Sequence, residues 1–297
     1  MDMADLPTRR TEAWKWSDLR LALRETPLPA GPAPEAGAAA GPIEQLARLQ
    51  NAHETLRIGA GEARVLIERF ESEGLDARMR EIEIGAGGTL TRVVIQSGAG
   101  VALSGAAVSL GENAALRQVI LAEGGRLARI ETHIVLAGAG ARVEMSGLYM
   151  CAGERHADLT SVIEHKVAGG TTQQLVKGAV RAGGRGVFQG KIVVDRGAQK
   201  TDARQHHQAL LLEEGAEAFA KPELIINADD VQCAHGNTIG ALDEQALFYM
   251  RQRGLPEAEA RALLTEAFLL EALPEDLDAG LRDELAGRVS AWLRARA

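Results

Sequence analysis

From about residue 56 to residue 240 the chain is cut into short β-rich runs by glycines at near-regular intervals. This pattern constrains the fold more than any other feature. Runs such as REIEIGAG, LTRVVIQS, LRQVILAE, ARIETHIVLAG, TQQLVKGAV and GVFQGKIVV are separated by breaks at Gly87, Gly100, Gly111, Gly124, Gly138, Gly153, Gly169, Gly183, Gly197 and Gly215. Successive breaks lie 11–18 residues apart, a structural period without a strict sequence repeat. A β-sandwich and a β-solenoid both accommodate such a pattern. No Asn-Gly hairpin turn occurs, and aromatic residues make up only 3% of the chain. A core with so few rings is built from Val, Ile, Leu and Ala, which suits stacked repetitive strands. The expected fold is therefore mainly β, with a parallel β-helix (β-solenoid) core.

The flanks differ. Residues 8–25 (TRRTEAWKWSDLRLALRE) read as a short amphipathic helix with Thr11 and Ser17 as possible caps and Trp14, Leu19, Leu21 and Leu23 as anchors. Residues 26–42 hold five of the nine prolines and read as a mobile linker. A helical lead-in over 43–55 opens the core region 43–240. Over 241–297 three amphipathic helices are expected. Asp243 caps the first and Gly254 closes it, Pro256 opens the second, and Pro274 starts the third. The second helix places Ala260, Leu263, Leu264, Ala267 and Phe268 on one face. The third carries the stripe Leu277, Leu281, Leu285, Val289, Trp292 and Leu293. These helices can cap the solenoid or offer a docking surface.

A net charge of −8 argues against nucleic acid or an anionic membrane as the main partner. No apolar run approaches the roughly 20 residues needed to span a bilayer, and no secretory signal is visible at the N-terminus. Two cysteines are too few for a disulfide framework, so the reducing cytoplasm is the expected compartment.

Chemistry concentrates at Cys233-Ala-His235. On a strand these side chains share a face, about 6.5–7 Å apart. Thiol and imidazole together can bind a soft metal or sulfur species, yet they supply two ligands where a tetrahedral site wants four. The alternative is a half-buried cysteine beside a surface histidine with no joint task. Neighbouring Asp229 and Asp230 disfavour a thiolate. Cys151 reads as a core or turn-edge residue. His206-His207 is a pair with one ring inward and one outward, and His53, His133, His156 and His165, scattered through separate segments, read as satisfied polar residues and not as ligands. GRGVFQGKI ends like a phosphate loop, but Arg185 stands where glycine is required and Ile192 replaces the Ser or Thr. No GxGxxG follows a strand, and neither GxSxG nor HExxH occurs. On these grounds the chain is expected to have no enzyme activity of its own.

Three stretches carry a resemblance. KGAVRAGGRGVFQGKIVVDRGAQKTDARQHHQALLL (177–212), KPELIINADDVQCAHGNTIGALDEQALFYMRQRGLPEAEARALLTEAF (221–268) and RTEAWKWSDL (10–19) resemble the SufB/SufD family of iron–sulfur cluster assembly proteins. The order Gly-Val-Phe-x-Gly-Lys-Ile, Gly-Ala-Gln-Lys-Thr, Cys-x-His-Gly and Leu-Phe-Tyr-x-Arg-x-Arg-Gly is specific. Residues 26–150 match only in general character. Within the family the SufD side is favoured. The region Glu213–Ala218 lacks the cysteine of SufB, and Gly236 follows His235 where SufB tends to have Glu. Ile225, where Glu is usual, and Ala234, where Ser is frequent, depart from the SufD pattern, as does a shortened N-terminal part.

The resemblance implies a β-helix that pairs with a SufB-like paralogue while its C-terminal helices dock a SufC-like ATPase. A transient iron–sulfur cluster would form at the interface between the paralogues. It implies that His235 lies at that interface, with Cys233 beside it in a lesser role. It also implies that Asp243, Leu247, Phe248, Arg251 and Arg253 belong to the ATPase-docking region. A role in iron acquisition, a homodimer when the paralogue is absent, and a reduced flavin in the whole complex complete the expectation; no flavin motif is visible in this chain. Two other classes compete: a stand-alone metal-binding or metal-dependent protein, and a carbohydrate-binding solenoid, which wants aromatic platforms.

Overall fold

The structure, a computed structural model, describes residues 3–29 and 41–295. Fourteen strands run in chain order: β1 (His53–Ile58), β2 (Ala63–Phe70), β3 (Leu75–Ile84), β4 (Thr89–Gln96), β5 (Val101–Leu110), β6 (Ala115–Ala122) and β7 (Leu127–Leu136), then β8 (Arg142–Cys151), β9 (His156–His165), β10 (Thr171–Val180), β11 (Arg185–Val194), β12 (Asp202–Leu211), β13 (Glu217–Ile226) and β14 (Gln232–Gly240). Odd strands form one seven-stranded parallel sheet and even strands another. Strand n therefore pairs with strand n+2, so the chain is a β-solenoid and not a sandwich of hairpins.

The rung lengthens along the chain. His53 faces Met79, 26 residues on, whereas Arg185 faces Glu217, 32 residues on. Each rung contains two strands and two corners, so the glycine spacing in the sequence is half a rung. At one corner Gly183 has φ 73°, and a Cβ there would lie 2.8 Å from the carbonyl oxygen of Gly153 in the rung below. Both the left-handed backbone and the close stacking call for glycine at this point.

Between the sheets the interior has three strips. Aliphatic side chains line one edge, among them Ile84, Leu110, Leu136, Ile163 and Val194. A second apolar strip along the other edge carries Phe70, Ile120, Tyr149 and Phe188. The register places a column of mostly polar residues between them on the even sheet: Arg92, Gln118, Met145, Gln174, Gln205 and, on the last strand, His235. Arg92 is fully buried; it donates to Glu68 at 2.7 Å, to Gln118 Oε1 at 2.9 Å and to Ser104 Oγ at 2.9 Å. A buried charge is tolerable only when so fully paired.

Helices cover both outer faces. Against the even sheet, α4 (Glu257–Leu270) and α5 (Ala279–Arg294) bury Val93, Ile95, Val119, Leu121, Leu148 and Met150 in one cluster with Leu269, Leu285 and Val289. On the odd sheet, the N-terminal segment and α2 (Pro42–Leu49) bring Trp14, Leu19, Leu23, Ile43 and Leu46 against Ala77, Leu103 and Leu127.

Several expectations need correction. Residues 8–25 do not form one helix. They contain a 3₁₀ turn (Glu12–Trp14) and a single four-residue helix, α1 (Leu19–Ala22), after an earlier turn at Met3–Asp5. Tertiary contacts override the helical period: Trp14 lies on the Arg129 guanidinium at 4.1 Å, and Ser17 donates to buried Asp158. Asp18, not Ser17, caps α1, and Leu21 is 55% exposed. The stretch 26–42 read as a linker falls largely on residues 30–40, outside the described residues, and its last residue, Pro42, already belongs to α2. Pro256 is the N-cap of α4 and not its first turn. The buried stripe of α4 is Ala260, Thr265 and Leu269, while Leu263 is 42% exposed. The final helix starts after an Asp278 cap, not at Pro274.

Candidate functional site

β13 and β14 are the last strands of their sheets, so this end of the solenoid has no covering rung. Their outer backbone edges are available for pairing, and Ile225, Ile226 and Ile239 on these strands are 42%, 43% and 37% exposed. In register, Ala203, Gln205, His207 and Ala209 of β12 face Cys233, His235, Asn237 and Ile239 of β14. All four β12 residues are buried. Their β14 partners continue the same inward-facing column but lack the rung that would bury them.

Cys233 and His235 therefore share a face, as a strand requires, yet sit differently. Cys233 is half-buried and packs on the aliphatic strip, whereas His235 is exposed. Burial pushes the Cys233 thiol above its ordinary value, and the charge of Asp202 adds to this. The acidic influence comes from Asp202, beside it across the ladder, and not from Asp229 or Asp230. The thiol is thus protonated until a cation or a base draws the proton off. The His235 imidazole makes no hydrogen bond among the described residues.

Beneath this rung lies a second histidine. His207 is fully buried, with Nε2 at 2.9 Å from the Tyr149 hydroxyl and Nδ1 at 2.6 Å from Asn237 Oδ1. Its ring stacks on Phe188 with centroids 4.9 Å apart. Burial lowers its pKa to about 4, against the raising effect of the Asn237 bond. It is the inward member of the His206-His207 pair; His206 points to solvent. Cys151 is fully buried, and burial raises its pKa to about 12, so it is inert.

The one group of three potential metal-binding side chains that converge among the described residues lies at the opposite end: Glu44, His53 and Glu81. Arg48 already holds Glu44 at 2.7 Å and His53 pairs with Glu81 at 3.1 Å, which explains the cluster as a pin between α2, β1 and β3. At the open rung this chain supplies two ligand atoms of the kind that hold iron or zinc.

α3 (Glu244–Gln252) follows β14 directly. Asp243 caps it, accepting from Gln245 N at 2.8 Å and Ala246 N at 3.3 Å, and Gly254 ends it with φ 92°. Leu247 is 2% exposed and anchors the helix, so it cannot itself meet a partner. Phe248 and Tyr249 are 63% and 59% exposed, with Arg253 lying over the Tyr249 ring at 5.1 Å and Arg251 facing Glu257 at 3.4 Å. No sequence pattern singles out Tyr249 or Asn237. Only the burial pattern distinguishes them from ordinary core residues.

The profile described as "SUF system FeS cluster assembly, SufBD core domain" matches residues 43–268. The chain belongs to the SufB/SufD family. The match spans all fourteen strands and α2 through most of α4, so the open rung and the helix that follows it both lie inside the family's core domain. Among curated relatives, the iron–sulfur cluster assembly protein SufD of Escherichia coli is 34% identical over 165 residues, 56% of this chain and 39% of that protein. A SufBD family protein of Synechocystis is 40% identical over 149 residues, 50% of this chain and 33% of the relative. The chloroplastic protein ABCI7 of Arabidopsis thaliana is 36% identical over 166 residues, 56% of this chain and 35% of the relative. Each match therefore spans well under half of the relative's own length. No helix among the described residues is long and apolar enough to cross a membrane.

Proposed function

We propose that this SufB/SufD family chain is a scaffold subunit of iron–sulfur cluster assembly, of the SufD kind, acting at a seam between its last rung and a SufB-like paralogue. The observation that carries this reading is the uncovered β13–β14 rung presenting His235 and Cys233. Two ligand atoms on one side of an open sheet end become a complete site when a second solenoid adds its strands and its own thiolates or carboxylates. Iron and sulfide are then the cargo, held transiently. His235 is the exposed ligand. Cys233, half-buried with a raised pKa, takes the lesser part. A second copy of this chain can occupy the same edge when the paralogue is absent, because a twofold interface needs only a self-complementary patch.

The C-terminal helices supply the drive in this reading. Phe248 and Tyr249, flanked by Arg251 and Arg253, form the exposed part of a surface for a SufC-like ATPase, and Asp243 starts that helix three residues after β14. Movement of α3 is thereby passed to the ligand-bearing strand. Iron acquisition and a cytoplasmic setting belong to the same proposal. The chain itself needs no catalytic group.

Co-expression with SufB-like and SufC-like proteins, followed by native pull-down through this chain, tests the assignment. All three components are expected to co-purify, and cluster formation in the complex should fall at least tenfold in His235→Ala while assembly persists. Recovery of this chain alone would overturn the proposal.

A further inference from the structure

Gln205 is completely buried, and only one half of its amide is used. Nε2 donates to the carbonyl oxygen of Gly190 at 3.2 Å, while Oε1, equally buried, has no hydrogen-bond partner. Space for this side chain depends on a glycine: a Cβ at Gly190 would lie 2.4 Å from Gln205 Nε2. The fold has thus fixed the amide with its acceptor idle. Buried acceptors are seldom left so, and those that are call for an explanation.

The register narrows the possible donors. On the even sheet Gln205 sits between Gln174 and His235. The Gln174 amide nitrogen is already engaged, with Ser161 Oγ at 2.9 Å and Met145 Sδ at 3.8 Å. The His235 imidazole has no hydrogen bond among the described residues. Strand neighbours lie about 4.8 Å apart, within which a rotated imidazole reaches a glutamine oxygen.

We propose that Gln205 is the positioning residue of His235. Its Oε1 accepts the His235 Nδ1–H, which fixes the neutral tautomer and leaves Nε2, with its lone pair, for iron at the seam. Covering the rung strengthens this bond, because water no longer competes for the ring. Metal-binding histidines commonly use their second nitrogen in this way, and losing the orienting partner typically weakens metal binding roughly 10–100-fold. The inference rests on the reading of His235 as a ligand.

The test uses the full chain with Co(II) as probe and selectively ¹⁵N-labelled histidine. Wild type, Gln205→Met, Gln205→Glu and His235→Ala are compared for the thiolate-to-cobalt absorption band and for the His235 tautomer. Gln205→Met keeps the length and removes the acceptor; it should weaken cobalt binding about tenfold and shift His235 from the Nδ1–H form toward a tautomer mixture. Gln205→Glu, which keeps an acceptor, should restore both. Unchanged binding and tautomer in Gln205→Met would overturn the positioning role while leaving His235 as ligand. Unchanged cobalt binding in His235→Ala would overturn the ligand reading itself. Loss of the folded state in Gln205→Met but not in Gln205→Glu would make the amide an internal support and reject the proposal.

Discussion

His207 on β12 and Asn237 on β14 are register partners whose side chains bond across the last pair of rungs, Nδ1 to Oδ1 at 2.6 Å. With Nδ1–H donating to Asn237, Nε2 is left to accept from the Tyr149 hydroxyl at 2.9 Å. Tyr149 belongs to β8, so a chain of three side chains ties the open strand to the apolar strip inside. The open rung is thereby held at its centre even though nothing covers it.

Asn237→Ala should release that tie. We expect a loss of about 1 kcal/mol in global stability, the usual net worth of one hydrogen bond. Amide exchange should rise selectively in β14 and not in β8. Equal protection of β14 in variant and wild type would show that backbone pairing alone holds the rung.

Acid should destabilise the fold through its buried histidines. Burial lowers the pKa of His165 and of His207 to about 4, from an ordinary value of 6.5, and both are fully buried. Between these values the unfolded chain binds protons that the folded chain refuses. The stabilisation is therefore complete above about pH 6.5 and is lost as pH falls toward about 4. Each ring contributes at most about 3 kcal/mol. Urea unfolding followed from neutral pH down to about pH 5 should show a falling midpoint, and His207→Gln should flatten part of that fall.

Tyr149 sets the size of two neighbouring positions. A Cβ at Gly178 would lie 2.0 Å from Tyr149 Cζ, and one at Gly186 would lie 2.1 Å from its Cε2. Gly186→Ala should cost about 1–3 kcal/mol by overpacking. Pairing it with Tyr149→Leu should give a coupling of opposite sign, measurable in a double-mutant cycle. Additive effects would mean that the ring moves aside freely.

Much of this architecture is legible in the sequence because solenoids are local and repetitive. The break at Gly183 needs a left-handed backbone, and successive runs such as REIEIGAG and LTRVVIQS fall on alternate sheets, so the glycine spacing records half a rung. The Asp243 cap and the Gly254 stop are equally local and were readable as such. The N-terminal segment was not, because Trp14 and Ser17 are placed by Arg129 and Asp158, more than a hundred residues away, and not by helical period. The Cys233–His235 pair was visible as a shared strand face. What the sequence concealed was depth. That Leu247 is core while Phe248 is surface follows only from how α3 packs, and that Gln205 lies beneath His235 follows only from register across a rung of 30 residues.

The buried Arg92–Glu68 pair offers the sharpest test of what the internal polar column contributes. Glu68 also receives Arg80 at 3.0 Å, and burial raises its pKa while the two guanidiniums lower it further, leaving it below the ordinary value. Arg92→Met alone should cost about 3–5 kcal/mol, because it leaves a desolvated carboxylate short of one partner and strands Ser104 and Gln118. The double variant Arg92→Met with Glu68→Leu should recover much of that loss, since a well-packed apolar pair can match a buried ion pair. Arg80 keeps Glu54 in that variant and is not orphaned. If the double variant is as unstable as the single one, the polar column is needed to fix the sheets' register and not merely to satisfy its own charges. Denaturant midpoints of the three proteins, with the m-value checked for a constant folded state, decide between these outcomes.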